Sequence, residues 1–263
     1  SWRSKFILPR LFMDLKSMGD KMNFQDVSRG YEYDNKSAET YSLRRLNQEI
    51  LDYFVDPILR ALVVARAKYV SKLELMNALN GLFSTKIIAP LGGMSLLPKA
   101  LAQHFEVKYH SSVKRVVNHA DSVEVFFVDE SGNQQSARSD ACVIATLLPQ
   151  AVDIYPQCQA WVAPLANDLH YVPGICVHLG YSKRTTSKAL MVLISTKEIP
   201  DLTLVWLEHN KAVDRTPEGH GMFYLYYDDA VAASVSAKSD QQLVEQCAQI
   251  VEKLFPEVAS ALD

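Results

Sequence analysis

The chain has 263 residues, of which 48% are hydrophobic and 22% are charged. This composition is typical of a globular protein and excludes a long disordered tract or a fibrous repeat. The 27 Lys and Arg residues against 30 Asp and Glu residues leave a net charge of −3. That balance gives no electrostatic reason to expect nucleic acid or an anionic membrane as the main partner.

The cysteines and the first residues of the chain are used to predict the cellular compartment. The cysteines form no CxxC pair and mostly lie in apolar runs, which predicts buried free thiols in a reducing, cytoplasmic setting. They are Cys142, Cys158, Cys176 and Cys247. The opening SWRSKFILPRLF does not resemble a signal peptide, because its apolar stretch is short and broken by Pro9. No window reaches the roughly 18 apolar residues of a membrane-spanning helix, which leaves peripheral membrane contact open.

The first third of the chain is predicted to be helical. Ser37 should cap a helix that runs to about Phe54, and Asp56-Pro57 should start a second one. The pattern Ser71-x-x-Glu74 predicts a capping box for a third helix, which Gly81 should end. The predicted inward positions are Leu43, Leu46, Ile50, Phe54, Ile58, Leu59, Leu62, Val63, Leu75, Met76 and Leu79. Arg60 interrupts this apolar pattern.

The middle of the chain changes to short strands. A Gly92-Gly93 turn follows Pro90, and a short helix is predicted from Ser95. The sequence ESGN at 130–133 predicts a hairpin turn. The predicted strands are Val107–Tyr109, Ser112–Val117, Ser122–Val128, Gln134–Arg138 and Ala141–Ala145, the last of these covered on both sides.

The last third mixes strands with one long helix. The segments GICVHLGY, LMVLIS, LTLVWLEH and MFYLYY read as strands. Ser239-x-x-Gln242 predicts a capping box for a helix that Pro256 ends. The aromatic run from Met222 to Tyr227 has two readings, a strand buried on both faces or one wall of a cavity for a flat, apolar substrate.

A search for common catalytic patterns finds little. The seven histidines form no metal-binding pair and no G-x-S-x-G elbow is present, so we predict no metal site and cannot name a catalytic residue. The pair Asp228-Asp229 is predicted to be a solvated strand end rather than an acid/base dyad. The glycines form no G-x-G-x-x-G, so this chain lacks a pyrophosphate loop.

One long stretch resembles a known family. It opens with PLGGMSLLPKAL, continues through S-x-V-x-x-V and a meander with a polar hairpin, and ends in D-x-C-V-I-A-T. This order resembles the flavin-containing amine oxidase superfamily, with its protoporphyrinogen oxidases, phytoene desaturase-like enzymes and monoamine oxidases. The segment HNKAVDRTPEGHG resembles the K-x-x-x-R-x-P-x-G loop of the desaturase and porphyrinogen branches, and the tail with LFPEV also resembles the family.

The resemblance implies positions for FAD. The backbone of Val113 is expected to face the adenine, and Ala145 and Thr146 are expected near the flavin. Gly92 and Gly93 would let the backbone pack close to the cofactor, with a plain turn as the alternative. Amine-oxidising relatives often carry Lys where this chain has Ile175, which favours carbon–carbon or porphyrinogen-type dehydrogenation.

The resemblance also implies an architecture. We expect an α/β (α+β) protein in which residues 1–88 and 150–263 form a substrate-binding domain with a mixed sheet backed by helices. Residues 89–149 are expected to form a partial FAD-binding domain with a small β-meander. Because the glycine fingerprint and the C-terminal flavin segment are missing, the chain is expected to be a central fragment, inactive by itself.

Two functions remain in competition at this point. The first is an FAD-dependent oxidoreductase that removes hydride from an apolar substrate such as a porphyrinogen or polyene. The alternative is a flavin-free binding module for an apolar ligand or partner, supported by the missing nucleotide loop and the aromatic strand. The sequence leaves the oligomeric state open.

Overall fold

The structure is a computed structural model that describes residues 1–22, 26–84, 86, 88–166, 169, 171 and 173–263. The chain divides into two compact units. The first unit is Ser1–Leu96 with Val172–Asp263, and the second unit is Leu97–Tyr171.

The helices are spread over both units. In chain order they are α1 (Trp2–Ile7), α2 (Pro9–Met18), α3 (Ala38–Arg45), α4 (Gln48–Ile50), α5 (Asp56–Leu62), α6 (Lys72–Ser84), α7 (Leu96–Ala102), α8 (Leu148–Ile154), α9 (Gln159–Ala166), α10 (Asp229–Ser236) and α11 (Asp240–Leu254). The strands are β1 (Ser112–Asn118), β2 (Val123–Val128), β3 (Gln134–Ser139), β4 (Ile175–Tyr181), β5 (Met191–Leu193), β6 (Leu204–Leu207) and β7 (Gly221–Tyr227).

Serine caps start the predicted helices. The Ser37 hydroxyl accepts a hydrogen bond from the Thr40 amide at 3.1 Å, and the Ser71 hydroxyl accepts one from the Glu74 amide at 3.1 Å. Both caps are therefore confirmed. Gly81 does not end α6, which continues to Ser84. The buried side of this helix, with Leu75, Met76 and Leu79 fully covered, outweighs the modest cost of one helical glycine.

The predicted helix from Ser37 to Phe54 is interrupted. The backbone leaves the helical region at Leu46, and the Asn47 side chain caps a new helix by accepting a hydrogen bond from the Ile50 amide at 2.8 Å. The chain then stays helical through a π-helical segment, Leu51–Val55, into α5. Asp56 and Pro57 are thus the first residues of α5, but Asp56 does not cap this helix as predicted, because the backbone before it is already helical. The wide π turn lies where Pro57, which has no N–H, cannot supply an ordinary helical hydrogen bond.

The first unit contains a four-stranded antiparallel sheet with the order β4-β7-β6-β5. Helix α11 covers one face of this sheet and begins with the predicted Ser239–Gln242 capping box. Cys247 and Val251 on this helix are buried in the same core as Phe223 and Leu225 of β7. A second core lies among the N-terminal helices around Leu11, Leu59 and Leu79.

The second unit carries a three-stranded antiparallel meander in the order β1-β2-β3. The predicted hairpin turn is present, with the Asp129 carboxylate accepting hydrogen bonds from the amides of Ser131 (3.0 Å) and Asn133 (2.9 Å). Val107–Tyr109 and Ala141–Ala145 are irregular rather than strands, and Val143 is exposed. An apolar run forms a covered strand only where neighbours pair with it, and no strand of the described part of this unit does so.

The predicted fold class is confirmed, since helices accompany two sheets and one of the sheets is a small meander. Among the described residues the four-stranded sheet pairs only antiparallel strands, so it is not mixed in direction. No helix of the described part of the chain combines the length and the apolar character needed to cross a bilayer.

Candidate functional site

The structure of β7 bears on the two interpretations of its aromatic run, a buried strand or the wall of a cavity. Phe223, Leu225 and Tyr227 are buried in the core beneath α11, whereas Tyr224 and Tyr226 are half-buried on the opposite face. Because side chains alternate along a strand, each reading describes one face. The face away from α11 carries Cys176, His178, Trp206, Met222, Tyr224 and Tyr226, and we call it the open face.

Antiparallel register brings the rings of the open face together. Tyr224 lies opposite His178 on β4 and opposite Trp206 on β6. The His178 and Tyr224 ring centroids are 4.7 Å apart, and those of Tyr224 and Tyr226 are 6.4 Å apart in a stacked arrangement. Gly174 leaves room for Tyr226, because a Cβ atom on this glycine would lie 2.5 Å from the phenol oxygen.

Tyr224 is held by a polar contact at the centre of this face. Its hydroxyl lies 2.8 Å from the Cys176 Sγ, at hydrogen-bonding distance. Burial, and then the bond to Cys176, raise the pKa of Tyr224 above its ordinary value of 10.0. The phenol is therefore protonated at neutral pH, so it can stack on a ligand and donate a hydrogen bond but cannot act as a base.

A cavity of about 420 Å³ lies beside the open face, at Trp206. The Lys211 Nζ sits 4.1 Å from the Trp206 ring centroid and donates a hydrogen bond to the Glu208 carboxylate. The cavity is lined by Ile88, Ala89, Gly93, Met94, Leu190, Trp206, Glu208, Lys211 and Arg215. Its wall is thus mainly apolar, with a few charged groups at defined positions, which is the usual character of a small-molecule site.

The Gly92-Gly93 turn borders this cavity. Both glycines have positive φ, +82° and +86°, in the region that side chains other than glycine rarely adopt. The Gly92 amide donates to the Asp214 carboxylate, and the Arg215 Nη2 donates to the Pro90 carbonyl at 2.8 Å. The turn and the K-x-x-x-R-x-P-x-G loop, which the sequence offers as separate motifs, are therefore in contact.

Val113, Ala145 and Thr146 lie in the second unit. Val113 is on β1, an edge strand of the meander, beside a bulge between Val113 and Arg115. An edge strand has backbone N–H and C=O groups that its single neighbour does not use, and Val113 itself is 38% exposed. Ala145 and Thr146 are exposed just before α8. The exposure of these residues, and the free main-chain groups of β1, are compatible with a nucleotide that is bound through the backbone.

Three expectations about polar residues and thiols are wrong. Asp228 is not a solvated strand end: it is fully buried, and its Oδ2 accepts a hydrogen bond from the Arg60 Nε at 2.6 Å. Cys142 and Cys176 are exposed rather than buried, because the first lies in an irregular segment and the second on the open face. Cys247 is buried as expected, and all four thiols are free.

Sequence reasoning missed several residues of the open face. Period-two alternation along GICVHLGY would have placed Cys176 and His178 on one face, but it gives no sign that Trp206 lies next to Tyr224. Within the described part of the chain, no group of three His, Cys, Asp or Glu side chains is arranged to hold a metal ion. His170 lies outside the described residues.

Solved structures with the same fold cover nearly the whole chain. An oxidoreductase from Methanosarcina mazei aligns with a TM-score of 0.65 at 13% identity, covering 95% of this chain and 61% of its own. Cyclohexylamine oxidase from Brevibacterium oxydans aligns with a TM-score of 0.62 at 16% identity, covering 96% and 59%. A proposed protoporphyrinogen oxidase from Exiguobacterium aligns with a TM-score of 0.61 at 13% identity, covering 83% and 51%.

The chain thus spans about half to three fifths of the length of these relatives. A search of curated proteins with this sequence finds no match. The family model for flavin-containing amine oxidoreductases, in contrast, matches residues 9–263. Since this match takes in almost every residue of both units, the chain belongs to the flavin-containing amine oxidoreductase family.

Proposed function

We propose that the protein is an FAD-dependent oxidoreductase that removes hydride from a flat, apolar substrate of porphyrinogen or polyene type. The observation that carries the substrate class is the open face, where His178, Tyr224 and Trp206 form a row beside an apolar cavity. Membership of a flavin-containing family supports the reaction type. Bound FAD would supply the hydride acceptor, so the protein has to provide binding, orientation and a dry cavity.

The open face suits an apolar ring system. Tyr224 and Tyr226 offer stacked rings whose edges and faces can pack on a planar ligand, and such contacts contribute about 0.5–1.5 kcal/mol each beyond burial. The protonated Tyr224 hydroxyl adds one hydrogen-bond donor at the centre of the face. Tyr224 and Trp206 would bind and orient the substrate rather than take a proton from it, since the cofactor would supply the hydride acceptor.

Ile175 supports a substrate other than an amine. Its side chain is half-buried and packs on the core beneath α11, on the same face as Leu179 and Tyr181. The Ile175 side chain therefore lies on the face away from the open face, and an apolar group stands where amine-oxidising relatives often carry Lys. We therefore assign the chain to carbon–carbon or porphyrinogen-type dehydrogenation rather than to amine oxidation.

Two ranges of the chain, whose bounds differ from those of the two compact units, would have separate roles. Residues 1–88 and 150–263 would hold the substrate, and residues 89–149 would contribute part of the FAD site. In the second unit, main-chain groups of Val113 on an edge strand would hold the adenine end, which needs no special side chain. Ala145 and Thr146 would border the flavin, and Gly92 and Gly93 would allow close packing.

The test begins with the full-length gene product. After purification, its visible spectrum should show the two bands of bound flavin, and denaturation should release FAD. Under anaerobic conditions, a porphyrinogen or a polyene should bleach the flavin, whereas cyclohexylamine and putrescine should not.

Two results would contradict the proposal. A folded full-length protein that has no flavin bands and binds no added FAD would exclude flavin chemistry; if it still bound porphyrin, the binding-module alternative would be favoured. Bleaching by the amines alone would refute the substrate class and leave the flavin assignment intact.

A further inference from the structure

Helices α1 and α2 present an apolar stripe on the side opposite their buried face. The two helices are nearly continuous, because Leu8 between them keeps helical dihedral angles. The buried side carries Leu11 and Met18. The other side carries Trp2, Phe6, Pro9 and Met13, which recur at spacings of four, three and four, and we call this set the outer stripe.

The outer stripe is strongly exposed. Trp2, Phe6 and Met13 are 76%, 78% and 66% accessible, and they lie together on one side of the helices rather than scattered singly over the surface. Phe12, at the margin of the stripe, extends it by packing on Phe83, which is also exposed, with 5.6 Å between the two ring centroids. A helix that is apolar on two opposite sides buries one of them in its own core and has the other available for a partner.

The charges around the stripe identify that partner. Arg3, Lys5, Arg10 and Lys16 are exposed on these helices, and none forms an ion pair with a residue that the structure describes. Asp14 is the one acidic residue of α1 and α2, and its carboxylate is bound to Arg45 at 2.9 Å and to the Tyr41 hydroxyl at 2.7 Å. The surface is therefore cationic although the whole chain has a net charge of −3.

We infer that the outer stripe docks on an anionic lipid surface, with Trp2, Phe6 and Met13 entering the interfacial layer. Exposed aromatic and apolar residues flanked by unpaired cations are the combination that holds a helix in the membrane plane. The Lys5 Nζ already lies 4.7 Å from the Trp2 ring centroid, so the pair reaches the headgroup region together. This inference does not depend on the proposed function, although a membrane-held enzyme would gain access to apolar substrates.

The experiment is vesicle flotation of the full-length protein with phosphatidylcholine alone and with phosphatidylcholine mixed with phosphatidylglycerol. Binding is expected to the mixed vesicles and to weaken as salt rises. The double variant Trp2→Ser/Lys5→Gln should lower the affinity for the mixed vesicles at least about tenfold. Loss of the one cation should account for about fivefold of this decrease. The matched control is Lys68→Gln/Tyr69→Ser, which removes a similar cation–ring pair (4.4 Å) elsewhere on the first unit and should bind like the parent.

Several results would overturn the inference. They are equal binding to both vesicle types, equal losses in the two double variants, or no binding at all by a parent protein whose circular dichroism shows it to be folded. A dimer in sedimentation velocity that Trp2→Ser/Lys5→Gln dissociates, without vesicle binding, would show a second copy of the chain as the occupant. Equal thermal unfolding of both double variants is required for the comparison.

Discussion

Arg60 and Asp228 stand 168 positions apart in the chain, yet their side chains form a fully buried ion pair with 2.6 Å between Nε and Oδ2. The Arg60 fork also donates to the carbonyls of Ile194 and Leu202, both at 3.2 Å. One guanidinium on α5 therefore holds the end of β7 and both ends of the β5–β6 connection.

Removing one partner of this pair should be costly. Arg60→Met or Asp228→Asn should each lower the free energy of unfolding by about 3–5 kcal/mol, because a buried group loses its hydrogen-bonded ion-pair partner; the Arg66 Nε, 4.0 Å from the Asp228 Oδ2, lies beyond hydrogen-bonding distance. The double variant should lose less than the sum of the two. Urea unfolding measures these values, and Arg29→Met at the exposed Arg29–Asp26 pair, where the loss should stay below about 1 kcal/mol, is the control. Equal losses at the two arginines would contradict the prediction.

Gly221 should not tolerate a side chain. A Cβ atom there would lie 2.7 Å from the Lys183 carbonyl oxygen, and backbone cannot move away cheaply. Gly221→Ala should therefore destabilise the protein by about 1–3 kcal/mol in a denaturant titration. Gly180→Ala on the neighbouring strand is the matched control, since its Cβ would meet nothing closer than 3.7 Å. A Gly180→Ala loss as large as that of Gly221→Ala would show that strand glycines matter for another reason.

Three of the four thiols should fall into a fast and a slow group in their reaction with a thiol reagent. In the folded 263-residue protein, the thiols of Cys142 and Cys176 should react rapidly with Ellman's reagent, because both side chains are exposed. Cys247 should label only after unfolding, because burial excludes the reagent and also raises the pKa of this thiol. Mass spectrometry of the labelled peptides identifies each site. Rapid native labelling of Cys247 would mean that α11 does not cover the sheet as described.

Trp206 should contribute to ligand binding. If the open face stacks on a planar substrate, Trp206→Ala should weaken binding of a free-base porphyrin about threefold to tenfold, as followed by the change in the porphyrin's own visible absorption. Trp161→Ala, at an exposed tryptophan of the second unit, removes the same side chain and should leave the dissociation constant unchanged. Identical affinities for both variants would remove the open face from the site.

The contact between Asp214 and Gly92 should persist to low pH. The Gly92 N–H donated to this carboxylate holds the pKa of Asp214 below its ordinary value of 3.8. A lowered folded-state pKa means that the contact is fully present above the ordinary pKa and is lost only as the pH falls through the lowered one. Carbon-13 NMR of the Asp214 carboxyl group should therefore give a midpoint below 3.8, and a midpoint at or above that value would contradict the hydrogen bond.

Local chemistry made part of this structure predictable. Ser37, Ser71 and Ser239 each cap a helix as predicted, because a cap depends only on residues within one turn. The hairpin at Asp129 and the positive-φ turn at Gly92 follow for the same reason.

Distant partners made the rest unpredictable. In the sequence, Arg60 only interrupts the apolar pattern of a helix. Its burial is explained by Asp228 and two carbonyl groups, which come from distant parts of the chain. The contact of the Gly92-Gly93 turn with Asp214 and Arg215 likewise joins segments that are more than a hundred positions apart. The pairing register of β6 with β7 brings Trp206 beside Tyr224. This register cannot be derived from the sequence of either strand by itself.

The two-sided strand β7 has a consequence for how this protein can change. Substitutions at Phe223, Leu225 and Tyr227 disturb the packed interior, whereas those at Tyr224 and Tyr226 change the proposed substrate surface and its contacts with Cys176 and His178. If the open face binds the substrate as proposed, every second position of this one strand can change the fit of the substrate without touching the core beneath α11.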